Sequence, residues 1–455
     1  MDAADLDYRA RTSAGRLSSP LVTRLLELGH EREVEFQAGR GEWFCALEWA
    51  RLLGDRQQYE QALEVLSPYI ATGWWPAARA QAELLEGWGR PEEAIALCRP
   101  YAEAGDRIVL QFFARLLTRH GRAAEAFTLL RPGIEDWLLA DCLVDVSEAD
   151  DRDEEVAALL EARVAAAVPA CDDPDCDRLR LEPSNAFPLL AAIRERQGRI
   201  EEAIALLRRR DVTSVNGRDA LADLLARHDR IEELRAYAAS EYHGHAAQSL
   251  AEVLEERGDV EGAIAAYQTF AEDSDGLWHV AVPLSQLLAR HGRGEEAIAV
   301  MRTLADRPGG AEDWIVHTLC DLYTDHGRAR DGLAYLDALK ARRSGAEDWE
   351  FFQMRLPLMA DCGLLDEAIE QARAHPEGDT WYAARSLSDL LAGTGRTKEA
   401  AAVLERHPTS NASIRAEHLI DLGRIKEAVQ VLQQRPQTAP IDDPWADSYS
   451  TEPPF

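Results

Sequence analysis

Four groups of residues in this 455-residue chain have types and spacings that could do chemistry, and each points to a different chemistry. His243-Gly-His245 sets two imidazoles one residue apart, as in a metal pair, but no carboxylate near it in sequence converges with them. Cys171 and Cys176, interleaved with Asp172, Asp173 and Asp175, could ligate a metal or close a redox-sensitive disulfide. Their spacing is not the two-residue zinc knuckle, and no second Cys/His pair follows. The prolines and aspartates around them favour a plain acidic surface loop. Gly393-Thr-Gly-Arg-Thr-Lys398 has the outline of a phosphate-cradling loop without the Gly-Lys-Ser/Thr step or the preceding strand. Finally, His120, His228, His291 and His326 each stand just before a recurring glycine or aspartate. That place suits hydrogen bonding to helix-terminal carbonyls and to the negative end of the helix dipole. No nucleophile elbow, dinucleotide fingerprint or zinc-protease helix is present. The expectation is a chain that is not an enzyme and uses no cofactor and no metal.

The elements that hold these residues follow from a repeated phrase, Leu-Leu-Ala-x-x-Gly-Arg-x-x-Glu-Ala-(Ile/Ala). It stands at Leu84–Ile95, Leu287–Ile298 and Leu390–Ala401, with looser copies between. Its glycine recurs at Gly89, Gly121, Gly198, Gly258, Gly292, Gly327, Gly363, Gly395 and Gly423. Aspartate replaces it at Asp151 and Asp229, Gln57 falls in register, and Gly29 opens the series. Four residues before this anchor sits a large apolar residue (Leu85, Leu117, Leu225, Leu254, Leu288, Tyr323, Met359, Leu391, Leu419). Seven before it sits a small one, as at Ala82, Ala114, Ser285, Cys320 and Ser388, and five after it an alanine, as at Ala94, Ala203 and Ala428. Apolar spacings of three and four on both sides of a glycine predict two amphipathic helices joined by a tight turn. The small positions let the two helices approach closely. Glu-Glu pairs at +3 and +4 set negative charge in the first turn of the second helix, where the dipole favours it.

These positions resemble the tetratricopeptide repeat (TPR) family. The small residue in the first helix, the glycine at the turn, the alanine in the second helix and a period near 34 all match. A larger residue at +9 (Leu130, Leu207, Tyr267, Met301, Leu404) extends the match, which covers about residues 20 to 435. Individual copies are degenerate and most lack the terminal proline, so a related hairpin repeat such as the Sel1-like type is the near alternative. The resemblance implies an all-α superhelix, a solenoid of about 12–13 TPR-like helical hairpins. It further implies a protein-binding role in which the first helices of the hairpins face a concave groove.

Two ladders run through the array. Trp43, Trp75, Trp137, Trp278, Trp349 and Trp381 lie 14 residues before an anchor and Trp314 lies 13 before. They read as rings that start the first helix of each hairpin and pack on the preceding second helix, with an aromatic binding groove as the alternative. Six before the anchor come Glu83, Asp145, Asp223, Glu252, Asp321, Asp389 and Glu417. One residue beyond the small packing position a helix has turned by about 100°, away from the intra-hairpin contact. These seven are the candidate partner-binding residues of the groove.

The formal net charge is −31. Nucleic acid is therefore not an expected partner, because phosphate binding needs clustered cations; a basic protein or peptide is. Only three of the 50 basic residues are lysine; with so much Ala, Gly and Leu, this is the mark of a GC-rich genome and an actinobacterium-like source. No secretory signal and no run of about 18 apolar residues appears, so a cytoplasmic protein without a membrane span is expected, with its cysteines reduced. Repeats over 1–165 and 186–435 would flank an acidic Cys/Pro insertion at 166–185, and a proline-rich acidic tail, 436–455, would be extended. The functional expectation is an interaction scaffold or adaptor. A peptide-sensing regulatory receptor and a self-assembling structural protein are the alternatives, since open-ended arrays can stack.

Overall fold

The computed structural model describes residues 2–12, 17–165, 180–209, 214–215, 218–271, 276–307, 312–342 and 347–433. Cys171, Cys176 and the tail 436–455 lie outside them. The chain is an all-α array of TPR-like helical hairpins, preceded by the single helix Ala3–Thr12. Among the described residues there are thirteen hairpins. The first three pair Ser19–Glu27 with Glu31–Gly39, Trp43–Asp55 with Tyr59–Ile70, and Trp75–Gly87 with Pro91–Glu103. Arg107–Arg119 with Ala123–Leu130, Trp137–Ala149 with Asp153–Ala165, and Pro183–Arg196 with Ile200–Leu207 follow. Next come Ala220–Arg227 with Ile231–Ala238, His245–Glu256 with Val260–Ala271, Gly276–Arg290 with Gly294–Ala305, and Asp313–Asp325 with Ala329–Arg342. In the eleventh the first helix is split, Trp349–Gln353 and Arg355–Asp361, before Leu365–Ala374. Trp381–Gly393 with Thr397–Val403 and Ala412–Asp421 with Ile425–Gln433 complete the series. One departure from the all-helical pattern is a two-residue antiparallel ribbon, Ser214–Val215 with Arg218–Asp219.

Each hairpin turns where the sequence places its anchor, and all thirteen anchors have positive φ. Gln57 (62°), Asp151 (53°) and Asp229 (58°) are the non-glycine residues in this region among those described. The left-handed residue lets the next N–H reach back to a carbonyl of the last helical turn, closing a Schellman motif. Arg90 N–H donates to Leu85 O (2.8 Å) and Arg293 N–H to Leu288 O (2.8 Å). The large apolar residue four before the anchor therefore supplies the carbonyl that closes the turn. At the other end, Asp136 and Asp219 accept from the second and third N–H groups of the helix they precede, satisfying donors that the helix leaves open.

The positions read as interhelical are buried without exception. At −7, −4, +5 and +9 no residue named above exceeds 7% exposure. The small side chains are what let the backbones close, and each hairpin buries its apolar face against its neighbours, as in other repeat proteins.

The arginine after the anchor carries a second regularity. Arg293 pairs with Glu296 of its own helix (2.7 Å) and with Glu261 of the preceding hairpin (2.8 Å). Arg396 repeats this with Glu399 (2.6 Å) and Asp366 (2.8 Å). Arg230 pairs with Glu201 at 2.6 Å and also with Glu233. The two acids of the Glu-Glu step thus do more than suit a dipole. One braces its own helix, and the other receives the arginine of the next hairpin.

By compactness the chain divides into two units. One comprises 1–109, 347–357 and 364–455, the other 110–346 and 358–363. In the second, buried Arg194 donates to Glu161 (2.7 Å) and Glu154 (3.2 Å), and Arg196 to Asp153 (2.8 Å) and Ser147 (2.7 Å). These bonds tie Trp137–Ala165 to Pro183–Arg196. In the first unit the opening and closing hairpins meet: Ser19–Glu27 packs on Ala412–Asp421, and Arg24 pairs with Asp421 at 2.8 Å. Val22, Leu25, Leu419 and Ile420 belong to one continuous core cluster.

Candidate protein-binding surface

The acidic ladder lies on the accessible side of the first helices. Asp145, Glu252, Asp321, Asp389 and Glu417 are exposed, and Glu83 and Asp223 are half-buried. Several meet a donor one turn earlier on the same helix: Arg79 for Glu83 (3.0 Å), Gln248 for Glu252 (2.9 Å) and His317 for Asp321 (3.0 Å). Asp145 is 3.8 Å from Arg115 of the neighbouring hairpin. Asp223 stands one turn before Arg227, and Glu417 follows the buried Ala416. Such exposed pairs are worth about 0–1 kcal/mol, so breaking them costs little. Although Asp389 reaches solvent, the protein around it desolvates its carboxyl enough to push it above its ordinary value. Burial together with Asp145 does the same to Asp141, one turn away. The ladder members fall into both units, Glu83, Asp389 and Glu417 in one, the other four in the second.

Sequence reasoning missed a cavity of about 210 Å³ between the second and third hairpins. Leu47, Ala50, Gly54 and Leu66 line one side and Ala80, Leu84 and Gly87 the other, with Arg51, Asp55 and Glu83 among its lining. Gly54 was the available signal, a glycine within the helix Trp43–Asp55, where alanine is preferred by about 1 kcal/mol.

The tryptophans divide. Trp43, Trp75, Trp137, Trp349 and Trp381 are each the first residue of a helix. Trp43 is buried against Tyr69 (ring centroids 5.1 Å apart), and Trp75 meets Tyr101 (5.5 Å). Both partners belong to the second helix of the same hairpin, not of the preceding one, because the chain returns alongside its own start. Trp137, Trp314 and Trp381 remain 39–48% exposed.

The other candidate groups find structural settings. His228 and His291 do not cap carbonyls. They stand 2.8 Å from Glu195 and Glu255 of the preceding hairpin, which also receive Arg227 and Arg290. These arginines, and with them the histidines, hold both glutamates below the usual carboxylate range against the opposing effect of burial. His243 and His245 gather with His279 and Tyr242 in a loose aromatic cluster, centroids 5.3–5.9 Å apart. Among the described residues no set of three His, Cys, Asp or Glu converges to hold a metal ion. Gly393–Lys398 is an ordinary inter-helix turn, with Gly395 left-handed. Burial pushes the Cys45 and Cys98 thiols up to about 12 and Cys142 to about 11, so all three are unreactive at neutral pH. Among the described residues no helix is long and apolar enough to cross a membrane.

No protein-family model matches the chain, and no curated protein is similar to it. Among solved structures it is similar to a tetratricopeptide repeat protein from Parabacteroides merdae, at 14% identity and a TM-score of 0.28, over 64% of this chain and 96% of that one. It is also similar to the structure of Naa15/Naa10 bound to HypK-THB, at 14% identity and a TM-score of 0.26, over 87% of this chain and 68% of that one.

Proposed function

We propose that this chain is a non-enzymatic scaffold that binds a protein or peptide, basic in character, along the first helices of its hairpins. One observation carries the reading. The −7 residues named are all buried, and where an acid follows one, as Glu83 follows Ala82, Asp321 follows Cys320 and Asp389 follows Ser388, that acid is half-buried or exposed. Alternation of this kind gives a helix one face for its neighbour and one for a partner. The net charge of −31 supplies long-range attraction for a cationic ligand.

Capture from the native source with mass spectrometry, at several salt concentrations, tests this. A basic partner whose affinity falls with salt supports it; salt-independent capture by residues 436–455 alone moves the site to the tail. Charge reversal at Asp145, Glu252 and Asp321 should weaken such a partner at least tenfold and flatten its salt dependence. The packing of the first hairpin on the last argues against a filament grown by end stacking, because each covers the face that stacking would use.

A further inference from the structure

We infer that the gap between the second and third hairpins is an anchor pocket for one aliphatic side chain of a basic peptide. The inference rests on the binding role proposed above and specifies one of its contacts. At about 210 Å³ the cavity falls below the roughly 300 Å³ at which small-molecule sites begin, and it suits a single side chain. Its walls are apolar (Leu47, Ala50, Leu66, Ala80, Leu84), and it lies between successive first helices, Trp43–Asp55 and Trp75–Gly87. The ladder acid Glu83 is part of its lining.

The packing holds the gap open. Gly87 is exposed and a Cβ built on it meets nothing within 4 Å, so the gap is open to solvent at that end, while Leu84 Cδ2, 2.6 Å from a Cβ built on Gly54, closes the other. The Tyr59 hydroxyl donates to Gly87 O at 3.2 Å, and its ring stacks on Trp88, centroids 5.4 Å apart. Tyr59 thus props the second helix of one hairpin against the first helix of the next. Charge selects the neighbours of the inserted side chain. Arg51 is held by Glu48 at 2.9 Å and lies 3.9 Å from Glu83, which leaves exposed Asp55 without an ion pair among the described residues. A lysine or arginine beside the aliphatic anchor would supply that pair. An acidic neighbour would be repelled.

Fluorescence anisotropy with the full chain and two dye-labelled peptides, Lys-Lys-Leu-Lys-Lys and Lys-Lys-Ser-Lys-Lys, tests the pocket. The leucine peptide should bind about tenfold tighter. Gly87→Leu, which sets a branched side chain at the open end of the gap, should bring the two peptides to equal affinity while both still bind and still weaken with salt. Asp55→Asn should lower both affinities and keep the leucine preference. Circular dichroism melts of each variant confirm folding, and Gly87→Ala is the milder substitution if the leucine disturbs it. Equal binding of the two peptides to the native chain overturns the pocket and leaves the acidic surface standing. A leucine preference that survives Gly87→Leu also overturns it. Binding of neither peptide overturns both readings.

Discussion

At the scale of single residues the turns are where local cost is concentrated. Gln57 holds a left-handed conformation that costs a side-chain-bearing residue about 1–2 kcal/mol, against the 0.5–1 kcal/mol of flexibility that glycine loses on folding. Gln57→Gly should therefore raise stability by about 0.5–1 kcal/mol, read as a shift in urea midpoint at unchanged slope. Asp229→Gly should gain less, because Asp229 also pairs with Arg257. The clamped glutamates give a pH signature. Arg290 and His291 hold Glu255 below its ordinary value, near 4.3 in unfolded chains. Its contribution is complete above that pH and is lost as pH falls through the lower folded value. Glu255→Gln should cost less than about 1 kcal/mol at pH 7, and the difference should narrow as pH falls below about 4.3. A difference that stays constant through acid titration would show that packing, not charge, carries the effect.

At the scale of elements, neighbouring hairpins are joined by thin apolar strips and by arginines that reach from one to the next. Most of these are half-buried with exposed acidic partners, as with Arg293–Glu261 and Arg396–Asp366, and single alanine replacements should each cost about 1 kcal/mol or less. Arg194 differs, since its side chain is only 6% exposed and serves two glutamates of the preceding hairpin. Both glutamates are exposed, so no buried charge is left behind, and Arg194→Ala should cost about 1–3 kcal/mol through lost packing and charge-assisted hydrogen bonds; Arg194→Met should recover part of that by refilling the volume. Equal thermal stability of the native chain and Arg194→Ala would refute this account of the junction.

At the scale of the molecule, a repeat array usually needs special terminal hairpins with a polar outer face. Here the first and last hairpins cover each other through Val22, Leu25, Leu419 and Ile420. Deleting residues 1–40 should expose the apolar side of Ala412–Gln433 and cause concentration-dependent association in light scattering. A deletion variant that stays monomeric would mean that this face is dispensable.

The repeat register was legible in the residues alone, because a turn that demands a left-handed backbone selects glycine, and close helix pairs select small side chains. Both constraints act within one hairpin, so they repeat with it. Even the substitutes Gln57, Asp151 and Asp229 were placed by register and stand in the left-handed region. The acids of the ladder could be named, but not their partners, since exposed side chains pair by proximity that no period encodes. The tertiary structure alone decided the contacts made across hairpins: the arginine–glutamate chain, the carboxylate partners of His228 and His291, and the gap bounded by Gly54 and Gly87. It alone also joined Ser19–Glu27 to Ala412–Asp421, because Arg24 and Asp421 stand 397 residues apart in the chain and a contact between different repeats leaves no mark on the period.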